Sequence, residues 1–360
     1  MKTIKNEWLG TGLEDRPEFA SGDISQSLGP QSGFFAEVTG LQTSPLLNRP
    51  ELADELGIGA LFIKDERERL GLGSFKALGA AYAIAKQAFA RIRSGKATDP
   101  ATALKGVTFV CASAGNHGLS LAEGARIFGA NAVVFVAQSV PEAFAARLKD
   151  KGARVVRAGE IYEESMAEAE RHASENGWHL LSDSTWTGMT QPGRDVMEGY
   201  LKMGEEIARQ IPEPPTHVFL QAGVGGLAAA CASSARTSWG EGVTIVVVEP
   251  EAAPALLASI SAGKPVLAPG PVSNMGRLDC KEPSHLALRY LALEANLFAT
   301  VTDAEAVETV AWLDGNGLKT TPSGAAGLCA VHHARGHVEE LGLTPNSRVL
   351  CYLSEGPEDG

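Results

Sequence analysis

The sequence predicts an α/β protein built on a doubly wound, mainly parallel sheet. Two observations predict it. Short apolar, β-branched runs alternate with alanine-rich stretches of helical period along most of the chain, the signature of repeated strand–loop–helix units. Several of these units are joined by glycine-rich turns, placed where doubly wound sheets hold their ligands, beyond the carboxyl ends of the strands.

Taken in order, "ALFIKDE" reads as a strand, followed after "GLGS" by a helix from Phe75. "GVTFVCA" is a strand and "LSLAEGARIFGA" a helix that starts near Leu119. "AVVFVA" then precedes the helical "PEAFAARLKDKGA", and "ARVVRAG" precedes the acidic helix "IYEESMAEAERHASENG". "HVFLQA" leads to a helix from Leu227, "VTIVVVEP" to "EAAPALLASISAG", and "SRVLCYLSEG" is the last strand.

A chain of 360 residues exceeds one small core and suggests two domains of roughly 150 residues each. With 44% hydrophobic and 21% charged residues it has a globular composition. No apolar run approaches the roughly 18 residues of a membrane span. The N-terminal "MKTIKNEWLGTGLEDRPEF" lacks the apolar core of a secretory signal. The five cysteines (Cys111, Cys231, Cys280, Cys329, Cys351) show no C-x-x-C spacing, so neither a disulfide framework nor a metal site is expected and a reducing cytoplasm is. A net charge of −12 without a basic stripe argues against nucleic acid or an anionic membrane as a partner.

Three turns carry the chemistry. In "GLGSFKALGAAYAIAK" a glycine-rich loop delivers Lys76 into the first turn of a helix. There the macrodipole disfavours an ammonium and pushes the lysine towards the neutral amine that attacks a carbonyl. In "CASAGNHGLSLAEGA", Ser113, Ala114 and Gly115 present backbone N–H groups and a hydroxyl to a carboxylate at a helix N-terminus. Asn116 offers an amide to a phenolic oxygen, with His117 beside it. In "HVFLQAGVGGLAAACASSA", Gly223, Val224, Gly225, Gly226 and Leu227 form an anion nest at the start of a helix. No Gly-Lys-Ser/Thr follows and the spacing is not G-x-G-x-x-G, so one phosphate fits better than a dinucleotide. The bland alternatives are a surface lysine, an ordinary turn and glycines that serve close packing. Together, though, a nucleophilic lysine, a single-phosphate cup and an amide for a phenolate fit pyridoxal 5′-phosphate.

The motifs "SFKALGA", "SAGNHG", "GVGGL", "VEPE" and "PSGAAGL" resemble those of the fold-type II pyridoxal-phosphate enzymes, the superfamily of threonine dehydratase, serine racemase and the tryptophan synthase β-subunit. "IKDERERLGLGSFKALGAAYAIA", "SDSTWTGMT", "LQAGVGGLA", "GRLDCKEPS" and "LSEG" are similar, in the same order, to segments of the diaminopropionate ammonia-lyases. The likeness runs from about Thr43 to Glu355.

That resemblance implies two open, twisted, mainly parallel α/β domains: a large cofactor-binding one, 1–106 plus 183–360, and a small mobile one, 107–182. It implies a homodimer. It makes Lys76 the Schiff-base lysine and the acid/base at the α-carbon, Asn116 the partner of the phenolic oxygen, and residues 223–227 the phosphate loop. Ser354 would face the pyridine nitrogen, a neutral partner that suits elimination. Asp183, in "LSDSTW", would serve the substrate's β-ammonium, although an Asp-Ser turn cap is the plainer reading. Ser113, Ala114, Gly115 and His117 would line the substrate site. The lyases carry an aspartate, implicated in handling the D-isomer, at the position of Ala114. The sequence therefore mixes lyase and dehydratase features. The expected reaction is α,β-elimination on L-2,3-diaminopropionate. A serine/threonine-type dehydratase, a β-replacement enzyme, or a non-catalytic α/β protein that binds a phosphorylated metabolite are the alternatives. Glu282 and His285 are polar neighbours without an assigned role.

Overall fold

The computed structural model describes residues 1–14 and 23–357. The N-terminal stretch read above for a secretory signal runs partly through residues outside that set. The strands are β1 (Lys2–Lys5), β2 (Leu46–Asn48), β3 (Ala60–Asp65), β4 (Thr108–Ala112), β5 (Asn131–Val136), β6 (Arg154–Arg157), β7 (His179–Leu180), β8 (His217–Gln221), β9 (Thr244–Pro250), β10 (Leu297–Val301) and β11 (Arg348–Leu353). They form a seven-stranded sheet in the order β1-β10-β9-β8-β11-β3-β2 and a four-stranded sheet in the order β6-β5-β4-β7.

Within the large sheet the central strands β10, β9, β8, β11 and β3 all pair in parallel, while the edges β1 and β2 are antiparallel. The small sheet is parallel throughout. Parallel strands covered by helices on both faces read as continuous apolar runs. "HVFLQ" of β8 and "LFATV" of β10 are accordingly buried at every residue. One core cluster is continuous from Phe109 and Val134 of the small sheet to Val218, Ile245 and Leu350 of the large one. A second covers the other face of the large sheet around Leu61, Phe219 and Val349.

The Ala80–Arg93 helix joins the two sheets, packing on both the Asn116–Phe128 and Gln191–Gln210 helices. The approach is close: a Cβ at Gly124 would lie 2.7 Å from Ala81 Cα, which only glycine permits. Ahead of this helix the backbone is anchored by a buried charge network. Arg69 donates to both oxygens of Glu66 and both of Glu206, and Lys64 donates to Glu206 at 2.7 Å. Isolated buried charges are prohibitively costly, whereas a mutually satisfied set is tolerated and fixes geometry. The anchor coincides with Leu70, the one non-glycine among the described residues with positive φ (52°), and the chain then enters the Gly71–Ser74 loop.

Two helix starts differ from the sequence expectation. Phe75–Leu78 is a short 3-10 turn, and the α-helix begins only at Ala80, beyond a Gly79 of non-helical φ −83°, ψ −87°. Lys76 therefore lies ahead of the α-helix, not in its first turn. The helix expected near Leu119 begins at Asn116, because Gly115 is already extended (φ −95°, ψ −153°) and acts as its N-cap. Among the described residues, no helix is long and apolar enough to cross a membrane.

Candidate active site

The carboxyl ends of β3, β8 and β11 in the large sheet and of β4 and β7 in the small one lead into the turns singled out in the sequence. The Lys76 loop is fixed against the segment that follows β11. Phe75 N–H donates to the Ser354 carbonyl (2.9 Å), Gly356 N–H donates to the Gly73 carbonyl (2.9 Å), and Ser74 and Glu355 form an isolated antiparallel bridge. Ser354, expected to face a pyridine nitrogen, is buried at this junction.

Lys76 Nζ donates to Asp183 Oδ2 at 2.7 Å, with each side chain about a fifth exposed (23% and 21%). Burial alone would lower the lysine, but the Asp183 charge and hydrogen bond outweigh it and hold the ammonium above its usual range. Burial would likewise raise Asp183; the charges of Lys76 and His117 overcome it and keep the carboxyl well below the usual carboxylate range. The expectation that a helix dipole makes Lys76 neutral is thus corrected. The α-helix starts too far along the chain, and a carboxylate sits on the amine instead. The segment around Asp183 is fixed locally: Ser184 N–H bonds Ser182 Oγ (3.1 Å), and the Thr185 hydroxyl meets Ser284 Oγ (2.8 Å).

His117 was expected on the substrate side. Its ring is buried, 3% exposed, with Nε2 at 2.9 Å from the Leu181 carbonyl. A carbonyl only accepts, so Nε2 carries the hydrogen. Nδ1 has no hydrogen-bond partner among the described residues, and the ring adds to the pull that keeps the Asp183 carboxyl low. Ser113, Ala114, Gly115 and Asn116 are partly exposed, as a substrate-facing turn requires, and Ser113 Oγ accepts from Gly115 N–H at 3.3 Å. Asn116 Nδ2 donates to Glu355 Oε2 at 2.6 Å. Glu355 is itself held by the Thr321 hydroxyl (2.5 Å) and lies 3.5 Å from Arg277 Nε.

The Gly223–Leu227 loop closes the other side. Gly225 has φ +100°, and the Gly226–Trp239 helix springs from it. A Cβ at Gly223 would lie 3.0 Å from both Leu278 Cα and Cys280 Sγ, so the turn is as tight as backbone allows. Gly226 faces the Asp183 carbonyl, 3.7 Å from where its Cβ would be. A backbone cradle of this kind, beside an amine and an amide, fits a cofactor with one phosphate, one carbonyl and one phenolic oxygen. Burial pushes the Cys280 thiol up to about 11, against the pull of the Lys76 charge, so it stays a neutral wall of the cup.

A family model for pyridoxal-phosphate dependent enzymes matches residues 39–355. The chain belongs to this family. It is 30% identical over 348 residues to the diaminopropionate ammonia-lyase of Escherichia coli K12, covering 91% of this chain and 87% of that one. It is also 30% identical over 247 residues to the human L-serine dehydratase/L-threonine deaminase, covering 67% and 71%. Among solved structures, diaminopropionate ammonia lyase from Escherichia coli, in complex with an aminoacrylate–PLP azomethine reaction intermediate, superposes with a TM-score of 0.83 at 25% identity, covering 99% of this chain and 93% of that one. The chain is a fold-type II pyridoxal-phosphate enzyme.

Four neighbours escaped the sequence reading. Glu355, Thr321 and Arg277 come from loops that meet only in the fold. Tyr162, at the start of the Tyr162–Asn176 helix, is half exposed, and its phenol is held above its usual range by partial desolvation first and the Asp183 charge second. Ser354-Glu355 within "LSEG" and Arg277 within "GRLDCKEPS" lie in segments that carry the family likeness, but nothing local marks their chemistry. Glu282 is exposed, and the His285 backbone N–H bonds the Thr185 carbonyl; neither side chain gains a role.

Proposed function

We propose that this enzyme eliminates the β-amino group of L-2,3-diaminopropionate, yielding pyruvate and ammonia. The observation that carries the reading is the 2.7 Å contact between Lys76 Nζ and Asp183 Oδ2. It sets an ionised carboxylate directly beside the group that works on the α-carbon, where a substrate's β-ammonium needs a partner. The lyase relatives, similar over nine-tenths of the chain, support the same substrate.

Bound pyridoxal phosphate supplies a carbonyl for an amine and an electron sink for the α-carbon. The phosphate would be held by the N–H groups of Gly223 to Leu227, the phenolic oxygen by Asn116, and the ring nitrogen would face Ser354. Lys76 holds the cofactor at rest, then takes the α-proton at Nζ. Asp183 binds the β-ammonium and orients it for departure. The substrate carboxylate lies on Ser113, Ala114 and Gly115. Released aminoacrylate is hydrolysed in water, so each turnover consumes one water and gives one pyruvate and two ammonia.

The proposal includes the two-domain division, with 107–182 closing over 1–106 plus 183–360; the separate four-stranded sheet spanning β4 to β7 supports it. It includes a homodimer in the cytoplasm, supported by the superfamily likeness and by free thiols at all five cysteines.

The test is the ammonia-to-pyruvate ratio from L-2,3-diaminopropionate, with L-serine and L-threonine alongside. A ratio of two from diaminopropionate supports the lyase. The serine/threonine dehydratase stays as the second reading, favoured by Ser113-Ala114 and the dehydratase relative. Turnover of the hydroxy amino acids alone, with one ammonia per 2-oxo acid, would establish it instead.

A further inference from the structure

We propose that Arg277 reads the substrate's α-carboxylate and thereby sets the amino acid's orientation. The inference rests on the reading above that the site accepts an amino acid.

Arg277 lies far along the chain from the turn it faces, yet its guanidinium rests on that turn. A Cβ at Gly115 would lie only 2.4 Å from Arg277 Nη1, and Ser113 Oγ is 3.9 Å from the same point. Any larger residue at 115 would push the guanidinium away. The arginine is fixed from behind: its backbone N–H donates to Ser323 Oγ (3.1 Å), and Nε lies 3.5 Å from Glu355 Oε2. Its side chain keeps 24% exposure. Its charge also reaches Lys76 and lowers that ammonium.

The setting is cationic twice over. The guanidinium stands at the head of the Asn116–Phe128 helix, the positive end of the dipole. Ala114, next in the turn, adds no carboxylate there. Glu355 answers Arg277 from one side while its oxygens also serve Thr321 and Asn116. A carboxylate between Arg277, Ser113 Oγ and the Gly115 backbone would complete the arrangement, because a guanidinium edge matches a carboxylate in two parallel N–H···O bonds. Beside Lys76, Asp183 is the anion. A molecule with a carboxylate at one end and an ammonium at the other fits between them in one direction only, with its α-amine beside Lys76.

The experiment uses holoenzyme and L-alanine, which has the carboxylate but no leaving group, against L-alaninamide, each titrated by the change in cofactor absorbance. Wild type should prefer alanine, and Arg277→Gln should shrink the alanine-to-alaninamide affinity ratio by about 10- to 100-fold, the worth of a charged hydrogen-bonded pair. Arg277→Lys keeps the charge without the planar fork and should fall between. Comparing ratios cancels the amide's more acidic amine. A ratio unchanged in both variants overturns the proposal, even if their thermal stability falls, because a structural role would move stability and not discrimination. If Arg277→Gln does not retain cofactor, Arg277→Lys decides by the same criterion. Failure of diaminopropionate turnover would instead sink the substrate assignment, leaving the alanine ratio to judge Arg277 independently.

Discussion

Lys76 Nζ stands 2.7 Å from Oδ2 of Asp183, a residue that follows the last strand of the small sheet. The pair links residues 107 positions apart and makes each charge depend on the other. The free amine is the attacking form, so the pair restrains Lys76 until the carboxylate is engaged or removed.

The first prediction follows from that linkage. In the apo-protein the Lys76 ammonium is held above its usual range, so cofactor attachment should accelerate as pH climbs through the alkaline region. Asp183→Asn removes the main causes that raise it, leaving burial and the Arg277 charge to lower it against the smaller influence of Cys280. The rate–pH profile for cofactor attachment should move to lower pH, with faster loading near pH 8, while turnover of diaminopropionate falls by about 100-fold or more. Borohydride trapping over time reads the loading. A profile that stays put or moves upward would show that Asp183 does not control Lys76.

A second prediction concerns the phosphate cup. Gly225 has φ +100°, and a Cβ there would lie 3.1 Å from Ala287 Cβ and Leu256 Cδ1. Gly225→Ala should cost about 1–3 kcal/mol in backbone strain and weaken cofactor binding, seen as a raised dissociation constant in a fluorescence titration. Gly242→Ala, where nothing lies within 4 Å of the new Cβ and φ is not positive, is the control and should leave binding unchanged.

A third concerns the anchor behind the lysine loop. Arg69 and Glu206 are at most 2% exposed and share two hydrogen bonds, at 2.7 and 2.9 Å. Arg69→Met leaves two buried carboxylates with Lys64 as their remaining cation and should destabilise the fold by about 3–5 kcal/mol. The urea midpoint, followed by circular dichroism on the apo-protein, checks this. An unmoved midpoint would mean that the network relaxes at no cost.

How much of this was legible in sequence depends on where the information lies. Strands β3, β4, β5, β8, β9 and β11 are apolar because helices bury both faces of a parallel sheet, and that condition writes itself locally. The edge strand β1, with its exposed Lys2, and the two-residue β7 are defined by pairing partners and leave no periodic trace. β10 is as apolar as its neighbours; its run "LFATV" is short and has no glycine turn after it to draw notice. The site divides the same way. Lys76, Asn116 and the 223–227 loop sit in turns whose composition marks them as candidates. Arg277, Glu355 and Thr321 form a cluster only after three distant loops converge. His117, beside Asn116 in sequence, is buried one step round the helix, where Asn116 is partly exposed.

The last prediction turns on Ala114. The α-hydrogen of an L-amino acid held by its carboxylate and amine faces one side of the cofactor plane, and that of the D-isomer faces the other. Lys76 can serve one side. A second acid/base is needed for the other, and Ala114, in the turn that would hold the carboxylate, provides none. Positioned proton transfer contributes about 100-fold or more, so D-2,3-diaminopropionate should turn over at least about 100-fold more slowly than the L-isomer. Ala114→Asp should narrow the gap from both directions. It adds a carboxylate able to take the D-isomer's proton, and it places a negative charge beside Gly115, where Arg277 lies, so KM for the L-isomer should rise. Equal rates on both isomers in the wild type, measured by pyruvate release, would mean that a group other than residue 114 works the second face.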